Sequence, residues 1–282
     1  MTAQLGVRLF RRRPIMMAGV VVLLLVGSAI FAPLLAPYDP LQQNLHRVLE
    51  GPSREYLLGT DELGRDVLSR LIYGTRISLM AGGVSVALAV ALGTPLGLLA
   101  GYYGGWVDSV LGKIIDAFLS FPALVLALGI AAALGPSLSN IMIALGVVYM
   151  PRFARLVRGQ TLRVREEEFV TAARAVGVGD RNILARHIFP NVTSPIIVQA
   201  SLNCGFAIVT EASLSFLGLG GELSVPSWGS MLRTGYGYME ISPLLAVSPG
   251  LMIFLAVLSF NLLGDGLRDA LDPRLNRLDS PS

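Results

Sequence analysis

Six apolar runs of roughly bilayer length recur along this chain, and they limit its fold more than any single motif does. They cover about residues 15–35, 77–100, 114–134, 138–157, 194–216 and 244–267. A run of about 20 apolar residues crosses the ~30 Å hydrocarbon core as an α-helix. The expected fold is therefore an all-α integral membrane protein with six transmembrane helices. Composition agrees: 53% of the 282 residues are hydrophobic, 15% are charged, and the mean hydropathy is +0.64. A soluble domain carries about 25% charge.

The distribution of basic residues gives an orientation. Arg8, Arg11, Arg12 and Arg13 precede the first run. A secretory signal also begins with basic residues. Here the segment Ala32-Pro33-Leu34-Leu35-Ala36-Pro37 makes a poor cleavage site, so the run reads as an uncleaved span. With six spans, 16 of the 22 Lys and Arg residues fall on the side of both termini and six on the other. The positive-inside rule then puts both termini in the cytoplasm. Basic tracts that flank spans in this way are no argument for nucleic-acid binding.

Several chemistries are missing. The single Cys204 excludes an intrachain disulfide, and His46 and His187 are far apart, so no zinc-type spacing exists. There is no G-x-x-x-x-G-K-[ST] loop: Gly112-Lys113 has Val107 where the first glycine belongs. Neither G-x-S-x-G nor H-E-x-x-H occurs. The chain shows neither an ATP-hydrolysing loop nor a recognisable hydrolase site, so energy for any transport would have to come from another polypeptide.

Within the spans, Ala89, Gly93, Gly97 and Gly101 step by four along one face, a small-xxx-small surface for close helix contact. Pro95 is a possible kink in that span. A short inside loop is expected from Tyr102 to Lys113, and a tight outside turn at Gly135-Pro136-Ser137. Residues 37 to about 76 are polar and should lie outside, with Asp61 as the expected cap of a helix through Tyr73. The fifth run holds Gln199, Asn203 and Glu211. Ionisable groups in spans normally face protein or water. Glu211, Asn203 and Gln199 are candidates for a translocation path. Alternatively, Glu211 pairs with an arginine of a partner subunit or sits at the outer interface.

One cytoplasmic stretch stands apart. Residues 163–191 read RVREEEFVTAARAVGVGDRNILARHIFPN. Residues from about Gln160 to Val176 are spaced as a helix, and Gly177 and Gly179 end it. Asp180 is the expected cap of a second helix over 182–189, closed by Pro190. This stretch resembles the "EAA" loop of the membrane subunits of ABC importers. Thr171-Ala172-Ala173, Gly177 and Ile188-Phe189-Pro190 match its frame, with Thr171 standing where that motif has glutamate. Further segments, LLGTDELGRDVLSRLIYGTRISL at 57–79, ASLSFLGLG at 212–220, PSWGSML at 226–232 and FNLLGDGLRDALDPR at 260–274, resemble the dipeptide/oligopeptide permease family, whose branch includes nickel and glutathione permeases.

The resemblance implies the type I ABC importer permease architecture. It places an N-terminal tail, first helix and extracytoplasmic segment in 1–76, a five-helix core in 77–271 and a tail in 272–282. Within the core, the loop at 160–191 would be a cytoplasmic coupling helix, with Thr171, Ala172, Ala173, Gly177, Asp180, Ile188 and Pro190 docking on an ATPase. It further implies a non-catalytic subunit with no cofactor of its own, a homologous second permease in a heterodimer, two cytoplasmic ATPases that bind the ATP and magnesium, an extracytoplasmic binding protein, and a bacterial or archaeal cell membrane. The expected cargo is a di- or oligopeptide, with nickel, glutathione or another small solute as alternatives. A stand-alone ion-coupled carrier or channel, or a membrane-bound enzyme, would use the spans differently. The first leaves the 160–191 loop without a purpose, and the second lacks a catalytic constellation.

Overall fold

The computed structural model describes residues 13–221 and 225–271; the arginines at 8, 11 and 12 and the tail after Leu271 lie outside them. The described residues are mostly helical. Its elements are α1 (Arg13–Ile30), α2 (Val67–Tyr103), α3 (Gly105–Leu119), α4 (Ala123–Leu134), α5 (Leu138–Val164), α6 (Glu168–Ala175), α7 (Asp180–Phe216), α8 (Trp228–Gly237) and α9 (Leu244–Leu271). Five of these helices are each long and apolar enough to cross a membrane. The pair α3 and α4, bent by 91°, supplies a sixth crossing if counted together.

α2 lies along α5 and also touches α7 and α1; α7 packs on α9, and α9 on α1. Glycine makes the α2–α5 contact possible. A Cβ at Gly93 would stand 2.5 Å from the Met150 carbonyl oxygen, and one at Gly97 2.5 Å from that of Ala154. At Gly101 it would lie 2.7 Å from Thr161 Cβ. The small-residue face read from the sequence is thus the seam against Phe153, Val157 and Thr161, all fully buried.

Three expectations about elements need correction. First, α2 is one helix of 37 residues, about 55 Å long at 1.5 Å per residue, and passes through Tyr73 and Pro95 without a break. Its start is capped by Asp66, whose carboxylate accepts from the Ser69 amide at 2.7 Å, and not by Asp61. Second, 102–113 is no loop. The chain turns at Gly104 and Gly105, where φ is +64° and +54°, and α3 begins at once. Third, the run 114–134 is broken around Ser120–Pro122. Proline lacks the amide that would continue the ladder and disfavours helical geometry at Phe121, so the direction changes there.

Between α7 and α9, the helix α8 also folds back onto α9 and α2. Ser227 and Ser230 form a reciprocal capping box at the start of α8. Trp228 is fully buried: its indole N–H donates to the Leu71 carbonyl at 3.3 Å, and its amide to Ser78 Oγ at 3.2 Å. These bonds hold α8 against the first turns of α2.

At the same end, residues 37–66 wind into a knob. Asp61 Oδ1 accepts from the amides of Leu63 and Arg65, both at 2.9 Å, and Oδ2 from Arg65 Nε at 2.7 Å, with Arg70 Nε 3.3 Å away. Arg70 also donates to the Pro40 carbonyl at 3.1 Å. Asp61, Arg65 and Arg70 are each only 4% exposed.

Candidate functional site

The opposite end of the bundle carries the 160–191 loop. The helix expected from Gln160 to Val176 is in fact two. α5 stops at Val164, where Arg165 turns back and donates to the last carbonyls of α2, Gly101 at 3.0 Å and Tyr102 at 3.2 Å. Three consecutive glutamates follow. Glu168 falls in the first turn of α6, where a negative charge favours the helix N-terminus.

α6 ends in a full Schellman motif. The Val178 amide donates to the Ala173 carbonyl and the Gly177 amide to that of Arg174, each at 3.0 Å. Gly177 has φ +81°, a conformation that side-chain-bearing residues adopt at a cost. Nothing lies within 4 Å of a Cβ placed there.

α7 then starts at Asp180. The backbone of Gly179, not the Asp180 side chain, forms the cap. Asp180 Oδ1 instead accepts from the Tyr102 hydroxyl at 2.7 Å, and the Arg174 guanidinium lies 5.2 Å from the Tyr102 ring centre. Pro190 does not close the helix; α7 runs on to Phe216. Residues Ile183–Ile188 are wound as a π-helix, in which the Phe189 amide reaches back to Leu184. The wider turn displaces the carbonyl that the Pro190 ring would strike.

The loop has two faces. Val170, Ala173, Ile183, Ile188 and Val192 are buried and belong to the core formed with α2, α4 and α5. Thr171, Ala172, Gly177, Asp180 and Pro190 are exposed, and Val176 beside them is 80% exposed. Of the seven residues singled out from the sequence, Ala173 and Ile188 therefore anchor the loop, and the other five are on its surface. Tyr102, Arg165 and Arg174 went unrecognised because their partners lie elsewhere in the chain. Val176 offered a signal, an apolar residue just before a helix-ending glycine. Replacing Tyr102 by Phe should cost about 1 kcal/mol, since Asp180 stays solvated. It should also speed amide exchange over 176–184, read by hydrogen-exchange mass spectrometry.

The polar residues of α7 separate by depth. Gln199 opens onto a cleft between α5, α7 and α9, whereas Asn203 and Glu211 are fully enclosed by this chain. Among the described residues, neither polar atom of the Asn203 side chain has a partner. Glu211 accepts from Ser215 Oγ at 2.8 Å, and the Ser78 and Ser227 side chains lie beside it. Ser215 and Ser227 also line a cleft of about 380 Å³ at the end of the bundle bearing α8, so Glu211 stands one side chain behind its wall. Among the described residues, no group of three His, Cys, Asp or Glu could hold a metal ion.

Comparison with known proteins agrees with this architecture. Residues 93–277 match the family "Binding-protein-dependent transport system inner membrane component". Residues 3–52 match "N-terminal TM domain of oligopeptide transport permease C". The chain is 48% identical to the glutathione transport system permease protein GsiD of Pectobacterium atrosepticum, over 95% of its own length and 89% of that protein's. It is also 48% identical to the dipeptide transport system permease protein DppC of Alkalihalophilus pseudofirmus, over 88% of this chain and 81% of that one. An inward-facing structure of the MetNI methionine ABC transporter superposes with a TM-score of 0.59 at 19% identity, covering 72% of this chain and 97% of that chain. The fold, the family models and these relatives lead to one conclusion: the chain belongs to the binding-protein-dependent inner membrane components, as a multi-pass permease subunit of an ABC importer.

Proposed function

We propose that this permease passes di- or oligopeptides delivered by an extracytoplasmic binding protein, and that the 160–191 loop couples it to two cytoplasmic ATPases. A homologous second permease completes the membrane unit. The relatives' names support the substrate class: a dipeptide and glutathione are both short peptides. Neither of these relatives is named for nickel. The arginine-rich end, carrying the loop, faces the cytoplasm on this reading.

The observation that carries the coupling role is the loop's two-sidedness. Val170, Ala173, Ile183 and Ile188 fix it in the core, while Thr171, Ala172, Val176 and Gly177 are presented outward. A partner pressing on the small outer face would move α6 and the start of α7 together. α7 runs unbroken from this loop to Glu211, so the push would reach the far end of the bundle. The spans would then exchange inward- and outward-facing packings.

Substitution at Gly177 separates docking from folding. Gly177→Ala and Gly177→Arg carry the same left-handed backbone strain, about 1–2 kcal/mol, and both side chains point into open space. Only arginine adds bulk to the outer face. In the reconstituted assembly, ATP hydrolysis stimulated by peptide-loaded binding protein should survive Gly177→Ala and be lost with Gly177→Arg. Equal loss in both would assign the effect to strain and remove the docking reading. Normal coupling without stimulation by any peptide would retain the machine and overturn the substrate class.

A further inference from the structure

Where α5, α7 and α9 meet at the arginine-rich end, they leave a cleft of about 430 Å³. Its lining is ordered along the helix axes. Arg163 of α5 and Arg268 of α9 stand at the rim, each in the last turn of its helix. Gln160 and Gln199 come next, and Leu156 and Leu202 form the inner end. From Arg163 to Leu156 the rise along α5 is about 10 Å. α9 keeps the same register: a Cβ at Gly264 would meet Leu202, one turn inward of Arg268.

Neither guanidinium has a hydrogen bond or ion pair among the described residues. Two cations at one mouth with no partner among the described residues ask for an anion. Arginine forks suit phosphate oxygens, and basic pockets between spans at the bilayer surface attract acidic headgroups. A free anion would use the rim alone. Cation, amide and leucine in that order match an amphiphile instead, with a phosphate, ester carbonyls and an acyl chain at the same successive depths.

We propose that this cleft holds one anionic phospholipid from the adjacent leaflet. Its phosphate lies between Arg163 and Arg268, its glycerol esters at Gln160 and Gln199, and the start of one chain on Leu156 and Leu202. The lipid would brace α5, which enters the coupling loop, against α7, which leaves it. The site does not depend on which solute is carried.

The test is native mass spectrometry of the full-length protein in neutral detergent. It is titrated with phosphatidylglycerol, with phosphatidylcholine of the same chains, and with sn-glycerol 3-phosphate. Phosphatidylglycerol should bind in preference to phosphatidylcholine, and glycerol 3-phosphate should not displace it. Arg163→Gln/Arg268→Gln should weaken phosphatidylglycerol about thirtyfold, and either single change about fivefold. Arg181→Gln/Arg186→Gln, which removes the same charge from the exposed loop, should leave the preference intact. The single variants decide the question if the double variant does not accumulate. Equal binding of the two lipids, or an unchanged preference in the Arg163 and Arg268 variants, overturns the proposal. Displacement by glycerol 3-phosphate also overturns it and assigns the cleft to a free anion.

Discussion

Replacing Gly97 by leucine is expected to stop the chain from accumulating as a folded membrane protein. A Cβ at that position would already stand 2.5 Å from the Ala154 carbonyl oxygen and 2.7 Å from Val157 Cβ, and the first is rigid helix backbone. No rotamer relieves the contact, so α2 and α5 must part. Overpacking usually costs about 1–3 kcal/mol. Here the separation also strips contacts from the seam at Gly93 and Gly101, so the loss should lie at or above the top of that range. In lipid no hydrophobic term draws the helices back together, because the tails solvate them equally well. Gly83→Leu, on the same helix with nothing within 4 Å of its Cβ, is the control and should be tolerated. Detergent-extracted yield and the thermal transition of the two variants measure the difference; equal behaviour would show that the seam is dispensable.

Asp61→Ala is expected to have an effect of similar size at the other end of the bundle. The carboxylate pairs with two buried guanidiniums and accepts two backbone amides. Removing one partner of a buried pair costs about 3–5 kcal/mol, because the remaining charge is left uncompensated. The knob at 37–66 should loosen from α2 and α8, and limited proteolysis should cut within it. The triple variant Asp61→Asn/Arg65→Gln/Arg70→Met removes Asp61 and both of its guanidinium partners together. It should be more stable than Asp61→Ala in a thermal melt. A triple variant no better than the single would mean that packing, not charge, holds the knob.

Much of this protein could be read from residue order because the bilayer is a severe solvent. A segment that must satisfy its own backbone in hydrocarbon is long, apolar and helical, and those properties are local. The spans beginning near Ile15, Ile77, Leu138, Ser194 and Leu244 all correspond to helices of the structure. The glycine stripe at 93, 97 and 101 was also legible, since a helix repeats every 3.6 residues and places them on one face. So was the end of α6 at Gly177, because the Schellman turn uses residues within six positions of one another.

What the tertiary structure alone decided involves groups brought together from distant positions or a change of direction. Asp61 reads as a helix cap, yet it is an ion-pair hub, because Arg65 and Arg70 are folded back over it. Pro190 reads as a stop, but a π turn makes room for it. The run 114–134 reads as one straight span and is bent by 91° at Pro122. Asp180 is held by Tyr102, 78 residues away, and Arg163 and Arg268 line one cleft only because α5 and α9 both flank α7. Hydropathy records how much each segment prefers lipid to water. It carries no information on which of two polar side chains will face each other once the helices pack, because that depends on crossing geometry set by all of them together.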